Sequence, residues 1–214
     1  MMNFLIALPC IAFSLKEREI IRKYGFLTYP EFIDNFYVRH RTRKYNLFVK
    51  LLDKYYEQIR FAVLPDFHYD LMKKLINEYD SIEWIFPLHK KSEMRIVQEL
   101  NIQWIGFPHR KHFRNYSLTW FLRETKNCKR WYLGFWLEKN PYILLLFHGF
   151  DTTIPETYSG KFGKIWITWN KAIKPPFPMK TIQIFEINVK NFKNACKIFL
   201  RETKCKTENF RRAC

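Results

Sequence analysis

The chain has 214 residues, 48% of them hydrophobic and 19% aromatic, with 37 Lys plus Arg against 20 Asp plus Glu and a formal net charge of +17. So much apolar surface offsets the entropy of ordering the chain and excludes disorder, and the length suits one α/β domain, because single cores stop growing near roughly 250 to 300 residues. The charge exceeds what solubility requires and points to a polyanionic partner; since the basic residues are spread over many segments rather than gathered on one amphipathic helix, nucleic acid is preferred to a membrane surface.

The five cysteines, Cys10, Cys128, Cys196, Cys205 and Cys214, show no CxxC or CxH spacing. This argues against a zinc site or a disulfide framework, and neither a cofactor nor a metal is expected. The apolar start from Asn3 to Phe13 lacks a basic leader and is interrupted by Pro9, so it reads as a buried first strand, and no apolar run reaches the ~18 residues of a membrane span. The expected location is cytoplasmic.

Along the chain, short aromatic or β-branched runs ending in Pro, His or Asp alternate with helical stretches. The first run is Phe4 to Pro9; Ser14 and Glu17 then form a capping box, and Gly25 stops the helix. Phe32 to Val38 is a strand candidate, followed by the run Phe61 to Asp66. Asp70 can cap a helix with Leu71, Leu75, Ile76 and Tyr79 on one face. The run Ile82 to Pro87 leads to a helix that Ser92 can cap. Ile102 to Pro108 and Trp131 to Phe135 are further strands. Asn140-Pro141 opens a short buried helix before the strand end Phe150-Asp151-Thr152-Thr153. Counting Ile165 to Trp169 gives about eight strands. Lys174 to Pro178 is a proline-stiffened loop, and Asn188 to Arg201 is a closing helix within a terminal segment 179–214.

Strand runs that are apolar throughout suit parallel strands covered on both faces. The expected fold is one α/β domain spanning 1–214, a compact (β/α)8 TIM-like barrel, with an open doubly wound parallel sheet as the alternative. In either, chemistry sits at the carboxyl ends of the strands. Position alone therefore selects Asp34, Asp66, His68, His89, His109, Arg110 and Asp151, with His148 just before the last. Basic clusters follow the same ends: Arg39, Arg41, Arg43 and Lys44, then Lys90 and Lys91, then Arg110, Lys111 and Arg114. They form a candidate phosphate-holding rim, with Trp84, Trp104, Phe107 and Trp136 near enough in sequence to offer stacking faces, though aromatics in apolar strands are usually core. Gly-rich phosphate loops and a GxSxG elbow are absent.

The order of elements resembles the tRNA-guanine transglycosylase superfamily, including its DNA-modifying 7-deazaguanine relatives. Phe32-Ile33-Asp34-Asn35-Phe36 is similar to the family's Asp-Ser-Gly-Gly-Phe segment, and Pro65-Asp66 to a base-reading aspartate. Ile105-Gly106 and Leu133-Gly134 fall where the family has base-pocket strands. Phe150-Asp151-Thr152-Thr153-Ile154-Pro155 resembles the segment carrying the nucleophile. The likeness covers roughly residues 30–160. It departs at Asn35, at Leu88-His89 where the family has a base-reading Gln, and in lacking the Cys-rich zinc site.

The resemblance implies a (β/α)8 barrel that exchanges or removes a base on tRNA or DNA, a transferase of pentosyl groups. Asp151 would be the nucleophile and Asp34 the acid/base. Asp66, His89, Gly106 and Gly134 would hold the base, one of 7-deazaguanine type. Two other readings stay open: a basic nucleic-acid-binding protein without catalysis, and a metal-dependent hydrolase or nuclease using Asp66, His68, His89 and His109.

Overall fold

A computed structural model describes residues 5–9, 12–35, 45–135, 141–168 and 171–213. The elements in chain order are β1 (Leu5–Leu8), α1 (Leu15–Lys23), β2 (Leu27–Thr28), β3 (Phe32–Ile33), α2 (Asn46–Tyr55), β4 (Phe61–Val63), α3 (Tyr69–Glu78), β5 (Glu83–Pro87), α4 (Met94–Glu99), β6 (Trp104–Pro108), α5 (Leu118–Glu124), β7 (Lys129–Phe135), β8 (Gly149–Thr152), α6 (Ile154–Glu156), β9 (Ile165–Thr168), β10 (Lys171–Ile173) and α7 (Thr181–Ala213). Among these, no helix is long and apolar enough to cross a membrane.

Eight strands form one all-parallel sheet in the order β2-β1-β8-β7-β6-β5-β4-β3. The order follows the chain around a ring with no reversal, which rules out the doubly wound alternative, whose strand order must switch direction. The fold is a compact (β/α)8 TIM-like barrel, nearly closed. Its seam lies between β2 and β3. Only Tyr29 to Glu31 separate these two strands, far too few for the crossover that adjacent parallel strands need. They are successive halves of one bent passage, the first paired to β1 and the second to β4. Glu31 pins the bend, accepting from the Thr28 amide at 3.3 Å and from Arg22 at 3.0 Å.

Period-2 alternation decides which side chains fill the ring. Leu5, Ala7, Leu27, Phe32, Phe61, Val63, Ile85, Trp104, Trp131 and Leu133 point inward, while the residues between them, such as Leu8, Leu64, Phe86, Ile105 and Tyr132, pack against the helices. Trp131 dominates the interior, with ring centroids 5.1 Å from Phe32, 5.6 Å from Phe61 and 5.9 Å from Trp104. At the amino end Glu83 accepts from the Trp104 indole at 2.7 Å and meets Arg60 and Lys129 at 3.6 and 3.7 Å.

So large an inward ring needs space given up elsewhere, and Gly149 gives it. A Cβ there would lie 2.6 Å from Trp131 Cζ3 and 2.9 Å from the Leu5 carbonyl. Gly149→Ala should therefore lower stability by about 1–3 kcal/mol, the usual cost of overpacking, measured by chemical unfolding; an unchanged midpoint would show that the interior is slack.

Several local expectations hold. Ser14 and Glu17 cap α1 reciprocally, with the Glu17 carboxylate 2.8 Å from the Ser14 amide. Pro141–Leu146 forms a 3-10 helix leading into β8. Others are corrected. Asp70 lies inside the first turn of α3, whose N-cap position is His68. Ser92 sits within a 3-10 turn, Lys91–Glu93, and the free amides of His89 and Lys90 are accepted by Glu93 Oε2 at 2.7 and 2.9 Å. Glu is longer than Ser and reaches both donors. Phe32 to Val38 is strand only at Phe32–Ile33 among its described residues, and 36–38 lie outside them.

Ile165–Thr168 is not a barrel strand. It pairs antiparallel with β10 in a separate two-stranded sheet. Asn188 of α7 holds this hairpin, accepting from the Trp166 amide at 2.7 Å and donating to the Lys164 carbonyl at 3.0 Å, while Asn191 donates to the Trp166 carbonyl at 2.7 Å. The closing helix starts at Thr181, earlier than the periodicity suggests, and packs against α1, α6 and β9.

Candidate active site

The carboxyl ends of the strands surround a cavity of about 680 Å³. Pro9, Pro87 and Pro108, which close three of the apolar runs, supply part of its wall. Pro fits at these ends because the ladder no longer needs its N–H. Six residues selected by strand-end position, Asp34, Asp66, His89, His109, Arg110 and Asp151, line this one cavity. His68 does not; its ring packs edge-on against Tyr45, with centroids 5.3 Å apart. His148 precedes β8 at the opposite end of the barrel, where its Nδ1 accepts from the Arg130 amide at 3.0 Å.

Asp151 is the best-organised acid. Its Oδ1 accepts from the Trp131 indole N–H and its Oδ2 from the Gly134 backbone N–H, both at 2.9 Å. The second donor depends on Gly134 adopting φ +70, in the left-handed region, at an irregularity in the β7–β8 register. With no Cβ penalty there, the amide turns into the cavity. Burial, and next the negative charge of Asp34, push the Asp151 carboxyl up to about 7, while the Trp131 and Gly134 donors favour its ionised form. Asp151 thus exists in both protonation states around neutral pH, a condition common at catalytic positions.

Gly134 lines the cavity; Gly106 lies one step below it. A Cβ on Gly106 would run into the Leu133 side chain and come within 3.2 Å of Ile85 Cγ2, so this residue makes room for interior packing.

Asp66 and His89 form a buried pair, 5% and 6% exposed. Asp66 Oδ1 meets His89 Nε2, and Oδ2 accepts from Asn35 Nδ2 at 2.6 Å. Asn35 also donates to the Leu64 carbonyl at 2.6 Å. His89 Nδ1 lies 2.7 Å from the Phe113 carbonyl. Both ring nitrogens therefore face acceptors, which only the doubly protonated imidazolium satisfies. Burial opposes that charge, but the hydrogen bond and charge of Asp66 and the Phe113 carbonyl raise the His89 pKa above its ordinary value. The oxygens of Asp66 are already engaged by protein donors, so its first role is to fix Asn35 and His89. Sequence reasoning missed this role because the partners are 31 and 23 positions away. Asn35, Glu156, Thr153 and Thr157 also line the cavity and were not selected.

On one side of the mouth, the loops after β5 and β6 are tied together. The Asn115 amide donates to the His89 carbonyl at 3.0 Å, the Lys91 amide to Asn115 Oδ1 at 3.2 Å, and the Tyr116 hydroxyl to the Leu88 carbonyl. Lys90, Lys91, Arg110 and Lys111 are exposed on this ledge. Arg114 is used otherwise: it donates to the Pro108 and Tyr116 carbonyls at 3.1 and 2.9 Å and stacks on Phe107 at 4.3 Å. Arg39, Arg41, Arg43 and Lys44 lie outside the described residues, as does Trp136. Trp84, Trp104 and Phe107 are buried, as core aromatics should be, and offer no stacking faces.

Among the described residues, no three His, Cys, Asp or Glu side chains are grouped to hold a metal ion, and Asp66, His68, His89 and His109 are not brought together as ligands.

No family model matches the chain. Over 136 residues it is 29% identical to "Uncharacterized protein ORF192" of Acidianus two-tailed virus, an alignment covering 61% of this chain and 70% of that protein. Among solved structures, one described as "Native KDPGal structure" superposes with a TM-score of 0.48 at 12% identity, over 91% of this chain and 96% of that one. Thiamine phosphate pyrophosphorylase from Pyrococcus furiosus superposes with a TM-score of 0.43 at 11% identity, over 91% of this chain and 97% of the other.

Proposed function

We propose that this barrel breaks and re-forms a glycosidic bond between a base and a pentose in nucleic acid, the reaction type of tRNA-guanine transglycosylases and their DNA-acting relatives. The observation that carries the reading is the meeting of Asp34 and Asp151 in one cavity, with Asp151 held by two N–H donors and able to titrate near neutrality.

In this reading ionised Asp151 attacks C1′ of the sugar. The bond from C1′ to the base nitrogen breaks, its electron pair goes to the base, and Asp34, which in the productive form holds the one proton the two carboxyls share, supplies it to the departing base. Asp34, then a carboxylate, takes a proton from the incoming base, whose nitrogen displaces Asp151 from C1′. Water in place of that base would give removal instead of exchange. A 7-deazaguanine-type base is the incoming group suggested by the sequence resemblance. His109 and Arg110 line the wall on the side of the basic ledge, where they can meet the base edge and the flanking phosphate.

The test is a trapping experiment with tRNA or single-stranded DNA and a base analogue. Wild-type protein should form a denaturation-resistant complex, and Asp151→Asn should form none. Because Asp151 must be ionised while Asp34 holds a proton, turnover should be highest around pH 7 and fall toward lower and higher pH. A complex that persists in Asp151→Asn, or a rate flat from pH 5 to 8, overturns the assignment. Binding that is steeply salt-dependent but indifferent to Asp34, Asp66 and Asp151 changes would favour the non-catalytic nucleic-acid-binding alternative.

A further inference from the structure

A second feature lies outside the barrel mouth. Between Glu156 and Glu186 the chain carries Lys161, Lys164, Lys171, Lys174 and Lys180 and not one Asp or Glu. All five lysines are exposed, and among the described residues none of them is ion-paired. The same stretch exposes large apolar side chains: Phe177 is 63% exposed, Phe162 46% and Ile173 41%. Solvated lysines alone would be an ordinary surface. Two exposed phenylalanines among lysines with no acidic partner are not, because each exposed ring forgoes the burial that stabilises a folded chain; Lys161 lies over the Phe162 ring at 5.6 Å.

Some of these residues line a groove of about 620 Å³, whose wall includes Phe162, Lys164, Lys174, Pro175, Pro176 and Phe177. Its rigidity follows from the chain. Prolines at 175, 176 and 178 fix the backbone of one wall, and Asn188 ties the Lys164 carbonyl of the other to α7. The groove is concave and open, with aromatic faces beside cations. Single-stranded nucleic acid has the matching chemistry, presenting flat bases to rings and phosphates to lysines. A membrane surface would favour apolar side chains projecting from a convex tip, with cations around them.

We infer that the groove between residues 162–164 and the proline loop 174–178 is a binding site for single-stranded nucleic acid, in which Phe162 and Phe177 stack on bases and Lys164 and Lys174 meet phosphates. The site stands independently of the chemistry at Asp151.

The test uses a labelled oligothymidylate of about 15 nucleotides, followed by fluorescence anisotropy against full-length protein. Phe162→Ala/Phe177→Ala should weaken binding at least about tenfold, since base stacking on a ring is sequence-tolerant and substantial. Lys164→Gln/Lys174→Gln should reduce the slope of log affinity against log salt by about 1.4, two phosphate contacts on a single strand. Both variants change exposed side chains, and their thermal unfolding is compared with wild type to show that the fold is retained. Affinity and salt slope unchanged in both variants overturn the inference. So does binding lost only with Lys90→Gln/Arg110→Gln, which would place the strand at the barrel mouth and leave the reading of that site standing. Tight binding to vesicles of phosphatidylcholine and phosphatidylserine, abolished by the Phe changes while the oligonucleotide is unaffected, would assign the groove to a lipid surface instead. Failure of Asp151→Asn to alter covalent trapping would leave these results untouched.

Discussion

Asp151→Asn is expected to reduce turnover by about a thousandfold or more, and to remove the part of the pH dependence of stability between about 4 and 8 that Asp151 contributes. The first effect follows from the nucleophile role proposed for Asp151, whose loss would merge two easier steps back into one hard one. The second follows from linkage. The folded-state pKa of Asp151 is raised from 3.8 to about 7. The native state therefore favours the protonated form, and the stability this contributes is fully present below pH 3.8 and is lost as pH rises through about 7. At 1.36 kcal/mol per unit the shift amounts to about 4 kcal/mol, and because the side chain is partly open to the cavity about 2–4 kcal/mol is the expected loss. The asparagine carries no such burden, but its amide NH2 faces either the Trp131 or the Gly134 donor, which costs about 1–3 kcal/mol at every pH. The two curves should cross or converge: the variant is the less stable protein near pH 5 and equals or exceeds wild type near pH 8. Urea unfolding at a series of pH values measures this. Parallel curves would mean that Asp151 does not titrate in this window.

How far the sequence discloses this arrangement differs by level. The barrel is legible because its strands are uninterrupted apolar runs, and prolines at the ends of three of them mark the cavity wall. Strand-end position alone brings Asp34 and Asp151 to one site. What stays hidden has physical causes. Leu27–Thr28 is too short to give a period, and its pairing to β1 is set by the bend at Tyr29 to Glu31. Ile165–Thr168 has a strand's composition, but composition does not say which sheet a strand joins, and here Asn188 on the closing helix decides it. Gly106 and Gly134 look alike in sequence; one makes room for Leu133 and the other turns an N–H toward Asp151. The buried pair of Asp66 and His89 is the clearest gap, since no local pattern links two residues on different loops.

That pair carries the second large expected effect. Asp66→Ala removes the carboxylate that both supports the His89 imidazolium and accepts from Asn35. The ring stays buried with Nε2 unpartnered, and Asn35 Nδ2 loses one of its two acceptors, keeping the Leu64 carbonyl. Breaking a buried, hydrogen-bonded charge pair by taking one partner costs about 3–5 kcal/mol. In a chain of this length each kcal/mol moves the melting temperature by about 2–4 °C, so a fall of about 6–20 °C is expected at pH 6. Because the His89 pKa is raised, its contribution is fully present below the ordinary value of 6.5 and is lost as pH climbs through the folded-state value. The penalty of Asp66→Ala should accordingly shrink at alkaline pH, where the ring sheds its proton in both proteins. A double-mutant cycle with His89→Phe separates this from simple cavity formation: coupling of at least about 2 kcal/mol at pH 6 marks a direct ion pair, whereas additive losses would show that the two residues act independently. The same cycle bears on the site itself, since Asn35 and His89 face the cavity only while Asp66 holds them there, and loss of substrate affinity in Asp66→Ala should accompany the loss of stability.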